Sequence, residues 1–257
     1  MSTAYRLSTT GLLRSEWYKL WTVRSTWITF LVAVAFTLGL GITMGATYEE
    51  GGGDADMDVL TLSLIGFQFA QVAIAVLGVL VTAGEYATGM VRASMTAVPR
   101  RTPVLWSKAA VYGAATFAVT LATTFVTFLA AQFFFSGTEQ EAALGDAGIL
   151  RGILGSAAGL TMLGVIALGL GALLRSVPGA IGAFVGLLLI LPEVLMMLPF
   201  DALDDAVDYF PAQAFASLNT AQPLADAASP GTALLSLALW AAGSLVLAAL
   251  LLKRRDV

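Results

Sequence analysis

Six long apolar runs, at about 27–46, 60–83, 109–135, 152–174, 178–199 and 233–252, leave this chain few possible folds. At about 1.5 Å of rise per residue, a helix over any of them crosses roughly 30 Å of hydrocarbon. Lipid offers the backbone no hydrogen-bond partners, so each run must satisfy its own N–H and C=O groups as a helix. Only 12% of the residues are charged and 58% are hydrophobic, whereas soluble domains carry about 25% charged residues. The sequence therefore predicts an all-α integral membrane protein, a single membrane domain over 1–257 with six transmembrane helices. The first run is longer than the roughly 7–15 residues of a cleavable signal core, so it is read as a span.

Orientation follows from the basic residues. Arg6, Arg14, Lys19 and Arg24 precede the first run, and Arg92, Arg100, Arg101 and Lys108 follow the second. Arg175 separates the fourth and fifth, and Lys253, Arg254 and Arg255 end the chain. Every basic residue except Arg151 thus falls on one side, which the positive-inside rule makes cytoplasmic. Both termini are expected inside, in a multi-pass protein of the cell (plasma) membrane. The other side is acidic, with Glu49, Glu50, Asp54, Asp56 and Asp58 after the first run and Asp201, Asp204, Asp205 and Asp208 after the fifth.

Three segments outside the runs carry structure of their own. Residues 11–24 place Leu13, Trp17, Leu20 and Trp21 on one helical face, with Ser15, Lys19 and Thr22 opposite. This pattern predicts an amphipathic interfacial helix, the alternative being a cytoplasmic extension of the first span. The loop 84–108 has room for a short helix over Gly89–Val98 before Pro99 stops it. Such a helix would dock a soluble partner; the alternative is a solvated basic loop. In the outer segment 200–231, Ala212–Leu218 predicts a short helix packed on or dipping into the outer leaflet.

The chemistry of the chain is sparse. It has no Cys and no His, which removes disulfides, thiol chemistry and His-based catalysis. No G-x-x-x-x-G-K-[ST] loop surrounds any lysine, so the chain is not expected to hydrolyse a nucleotide. It is read as a non-enzyme with no cofactor, no metal and no nucleic-acid partner. Glu193, after Pro192, is the acid placed within a span, a position that points to a transport or gating role or to a structural role at the outer mouth. Gln68 and Gln71, one turn apart, either pair or face a cavity; with Glu193 they are the candidates for a translocation path. Three G-x-x-x-G pairs, Gly41/Gly45, Gly155/Gly159 and Gly182/Gly186, predict close helix packing within the protomer.

Taken in order, several motifs resemble the permease subunit of a type-2 ATP-binding-cassette exporter. They are Glu16-Trp17 and Lys19-Leu20, Arg24-Ser25, Gly84-Glu85-Tyr86 with Gly89, Pro99-Arg100-Arg101, Lys108, and Phe210-Pro211. The resemblance spans nearly the whole chain. It implies an interfacial helix before span one, a coupling helix after span two and short outer helices before span six. It also implies ATPase subunits of the ATP-binding-cassette type and a second permease copy or paralogue as partners, within membrane lipid. Coupling to the ATPase would fall on Glu85, Arg92, Arg100 and Arg101, and spans two and five would line the path. Two other classes compete. A secondary carrier would need coupling-ion sites within the membrane; a sensory or assembly protein would need no path at all.

Overall fold

The computed structural model describes residues 8–48, 57–90, 101–198, 206–223 and 227–254, and among these there is no strand. The helices are α1 (Thr9–Thr22), α2 (Arg24–Ala46), α3 (Val59–Ser63), α4 (Phe67–Ala87), α5 (Arg101–Phe135), α6 (Ile149–Leu174), α7 (Val177–Val185), α8 (Leu191–Met196), α9 (Pro211–Leu218) and α10 (Pro230–Arg254). A π-helical turn, Gly186–Ile190, joins α7 to α8. Six stretches are long and apolar enough to span a membrane: α2, α4, α5, α6, the α7–α8 unit and α10.

α6 is the hub. In its most apolar window 61% of the residues are buried, against 22% in the α7–α8 unit at the periphery. Small residues let α4 and α6 approach closely, with Gly78 facing the backbone of Gly164. The hydroxyl of Thr82 donates across this contact to the Leu168 carbonyl at 2.9 Å. Tyr112 of α5 donates to the Ile74 carbonyl of α4 at 2.7 Å, fully buried. Hydrogen bonds from Thr and Tyr at a close helix crossing are a recurrent device where the hydrophobic effect cannot hold helices together.

Three runs differ from their predicted form. The second does not form one helix from residue 60. It breaks into α3 and α4 around Gly66, whose Cα lies against the backbone of Phe36 and Thr37 in α2. Residues on both sides are apolar, so hydropathy alone does not register this break. The third begins at Arg101, not near 109. Its 35 residues make a helix about 52 Å long at 1.5 Å per residue, so its first turns extend past the hydrocarbon. The fifth carries the π-turn just before Pro192, whose missing N–H and ring disrupt the ordinary ladder. The Leu191 amide bonds instead to the Gly186 carbonyl, five residues back.

At the end of the bundle opposite α1, Asp58 ties two connecting segments together. Its carboxylate caps α3 by accepting from the amides of Leu60 and Thr61, at 2.9 and 3.3 Å. It also accepts from Ala221 and Gln222 after α9, at 2.9 and 3.2 Å. Arg151 donates to the Thr220 and Ala221 carbonyls at 3.3 and 2.7 Å. The predicted outer helix is present as α9, with Phe215 and Leu218 buried.

The glycine pairs divide. Gly41 and Gly45 pack against α3 and α5, and Gly155 and Gly159 against Phe215 and Leu218 of α9. Gly182 and Gly186 face open space, which corrects the expectation that this pair packs within the protomer. The face of span five that packs is the row Ala180, Phe184, Leu188 and Pro192, on the opposite side of the helix.

Candidate functional site

α1 starts at Ser8, whose hydroxyl accepts from the Gly11 amide at 3.1 Å and caps the helix. At its other end Trp21 packs edge-on or tilted against Trp17, Trp27 and Phe30, with ring centroids 5.5, 4.8 and 6.0 Å away. The Trp27 indole N–H also donates to the Trp21 carbonyl at 2.9 Å. These contacts fix the corner between α1 and α2 and so fix which face of α1 turns inward.

That face cuts across the predicted apolar row, taking in Leu20 and part of Trp21 and leaving the rest outward. Leu13 and Trp17 are exposed, while Glu16 and Leu20 are buried. Lys19, expected on the polar side, turns inward beside Glu16. The reason is on the partners, because α4 and α5 offer complementary charges. Lys108 of α5 places its Nζ 2.6 Å from Glu16 Oε2 and 2.6 Å from Glu85 Oε1. Lys19 Nζ lies 2.8 Å from Glu16 Oε1 and 3.2 Å from Glu85 Oε1. Glu16, Glu85 and Lys108 are buried, while Lys19 is 31% exposed in its side chain.

The four charges cancel. Burial alone would lower the Lys19 pKa, but the hydrogen bonds and charges of Glu16 and Glu85 outweigh it and raise it above the ordinary lysine value. A buried ion network of this kind is costly to desolvate, and similar packing without charge is often as stable. What it supplies is a specific arrangement. Glu85 sits in the last turn of α4 and Lys108 in the second turn of α5, so the network pins both stems of the intervening loop and clamps α1 onto them. A cavity of about 250 Å³ adjoins it, lined by Glu16, Lys19, Glu85 and Lys108 together with apolar residues such as Leu80 and Val81.

Lys253 and Arg175 gather at the same end. Leu252, beside Lys253 in α10, lines a small recess with Glu85 and Lys108. The Arg175 guanidinium lies 5.1 Å from the Tyr86 ring centroid. The described beginning and end of the chain therefore share one end of the bundle, with Arg151 and Asp58 at the other.

Of the sequence-predicted site residues, Glu85 belongs to the network. Arg92 and Arg100 lie outside the described residues, as does most of the predicted helix over 89–98; Arg101 begins α5. Gln68 is exposed on α4. The Gln71 amide donates to the Gln68 backbone carbonyl at 3.1 Å, so the two side chains do not pair. Glu193 is exposed in α8, and the hydrogen bond of Gln71 runs to Gln68 instead. In the sequence, chemistry alone does not mark Glu16, Lys19 and Lys108 as site residues. The available signal was ionisable residues at apolar borders, two of them spaced i,i+3 on one helix.

No protein-family model matches this sequence, and no curated protein matches it either. The class follows from the fold: the chain is an all-α integral membrane protein with six transmembrane helices.

Proposed function

We propose that the chain is the permease subunit of an ATP-binding-cassette exporter of the type-2 kind. It moves a substrate out of the cytoplasm with energy from ATP hydrolysed on a separate subunit. The observation that carries this reading is the Glu16–Lys19–Glu85–Lys108 network at both stems of the 88–100 loop. A chain with no nucleotide site of its own has to receive energy through a contact. A partner pressing on that loop would move α4 and α5 at their bases, and the network would carry α1 with them. The four residues are also among those that carry the resemblance to the exporter family.

In this reading the basic end of the bundle faces the cytoplasm and both termini lie inside, in the cell membrane. The partners are two ATPase subunits and a second permease. Glu85 acts in coupling, with Arg92, Arg100 and Arg101 contacting the ATPase. Gln68 and Glu193, exposed on spans two and five, and Gln71, buried one turn from Gln68, are the candidates to line a path between permease copies.

The test is reconstitution. The purified chain alone should hydrolyse no ATP, and crosslinks to its ATPase should concentrate on residues 88–100. An insertion there should separate ATP hydrolysis from export. Crosslinks confined to the acidic end, or unchanged export with a folded insertion variant, would overturn the reading.

A further inference from the structure

On the side of α1 away from the charge network, α1 and α5 enclose an open groove of about 450 Å³. Leu13, Arg14, Trp17 and Tyr18 form its rim, and Ala110 and Ala114 of α5 lie at its floor. Arg14 provides the charge here, and no acid lines the groove. Its guanidinium sits 5.5 Å from the centroid of the Tyr18 ring and donates to the Tyr18 hydroxyl at 3.3 Å. Tyr18 thereby orients the guanidinium, whose five N–H groups form a planar fork suited to phosphate oxygens. Trp17 and Tyr18 are 45% and 55% exposed, and such rings characteristically sit at headgroup level.

The floor continues down span three. Ala110, Ala114, Ala118 and Ala122 are all exposed and recur every fourth residue along one face. Twelve residues of helix give a lane about 18 Å long. It starts beneath a cation at headgroup depth and runs toward the bilayer centre, along the course of an acyl chain.

We propose that this groove binds one anionic phospholipid of the surrounding bilayer. The phosphodiester sits on the Arg14 guanidinium and the Tyr18 hydroxyl, and one acyl chain lies along the alanine lane. The bound lipid braces α1 against α5 on the face opposite the ion network. This inference rests on the membrane class of the protein and stands or falls separately from the exporter reading.

The experiment uses the full chain, delipidated in detergent and examined by native mass spectrometry. Phosphatidylglycerol and phosphatidylcholine with the same acyl chains are titrated separately. One phosphatidylglycerol should be retained per chain, about tenfold more tightly than phosphatidylcholine, which shares the phosphodiester but carries a choline ammonium that Arg14 repels. Arg14→Gln should reduce phosphatidylglycerol to the phosphatidylcholine level. Ala114→Phe, and independently Ala118→Leu, should weaken both lipids by filling the lane. Lys253→Gln, a distant basic site, should change neither, and unchanged lipid-free melting of each variant verifies its fold. Equal retention of the two lipids would overturn the proposal, as would retention indifferent to both lane variants. Displacement of the lipid by millimolar inorganic phosphate would overturn it too, by reducing the site to a headgroup contact. So would loss of a dimer on lane substitution with lipid retention intact, because a second copy would then be the occupant.

Discussion

Lys108 Nζ and Glu85 Oε1 lie 2.6 Å apart, closing the loop that separates α4 from α5. Lys108 also bonds Glu16, so one buried ammonium serves two carboxylates on two further helices. Replacing it by Met would leave those carboxylates with only the partly exposed Lys19. The expected loss is about 3–5 kcal/mol, the range for breaking a buried pair from one side. Thermal unfolding in detergent measures it, and a loss below about 1 kcal/mol would mean that solvent reaches the network freely.

Lys19 makes a pH prediction whose sign is fixed. Its pKa is raised in the folded protein through Glu16 and Glu85. The stability it contributes is therefore fully present below the ordinary lysine value of 10.5 and is lost as pH rises through the higher folded value. Wild type should lose stability relative to Lys19→Gln across that alkaline window. Parallel pH–stability curves for the two proteins above pH 10 would sink the assignment. Partial exposure of Lys19 keeps the effect small.

Topology can be read with introduced cysteines, because the chain contains none. Glu139 and Lys253 are both exposed, at opposite ends of the bundle. With the proposed orientation, an impermeant thiol reagent should label Glu139→Cys in intact cells and Lys253→Cys only after lysis. The reverse pattern would invert the orientation and with it the location of the coupling loop.

Gly66 and Gly182 should respond oppositely to the same substitution. A Cβ on Gly66 would collide with the Phe36 carbonyl and the Thr37 Cα, both backbone atoms that cannot swing aside. Gly66→Ala should cost about 2 kcal/mol or more by forcing α2 and α4 apart. Gly182→Ala meets nothing within 4 Å and should stay within about 0.5 kcal/mol of wild type in the isolated protomer. Melting of the two purified variants decides between these outcomes.

The sequence reading succeeds where a property is carried by many neighbouring residues and fails where it depends on one distant contact. Hydropathy over some twenty residues reveals all six spans. The break at Gly66 turns on one glycine touching a helix three turns into another span, which no local window registers. Pro192 does announce a disturbed ladder, and the π-turn falls directly before it. In α1, apolar spacing groups Leu13, Trp17, Leu20 and Trp21, but which of them turn inward is set by Glu85 and Lys108, 66 and 92 residues from the α1 groups they bond. The resemblance brought Glu16, Lys19, Glu85 and Lys108 together as motif residues; only the fold brings them within bonding distance.

The network should behave as a square of four contacts and not as two independent pairs, which charge reversal can distinguish. Around the square, Glu16 meets Lys19 and Lys108, and Glu85 meets the same two lysines. Exchanging one edge, Glu85→Lys with Lys108→Glu, keeps that edge attractive and leaves Glu16–Lys19 untouched. It turns the other two contacts into like-charge pairs, Glu16 against the new acid at 108 and Lys19 against the new base at 85. If only the 85–108 pair mattered, this exchange would preserve stability. A square predicts the opposite: the exchange should be less stable than the neutralised double variant Glu85→Gln/Lys108→Met, by about 2 kcal/mol or more. Reversing all four charges restores every attractive contact and should recover most of that loss. Melting of the double exchange, the neutral double and the fourfold reversal, measured side by side, tests the arrangement; a double exchange as stable as wild type would reduce the network to a single pair.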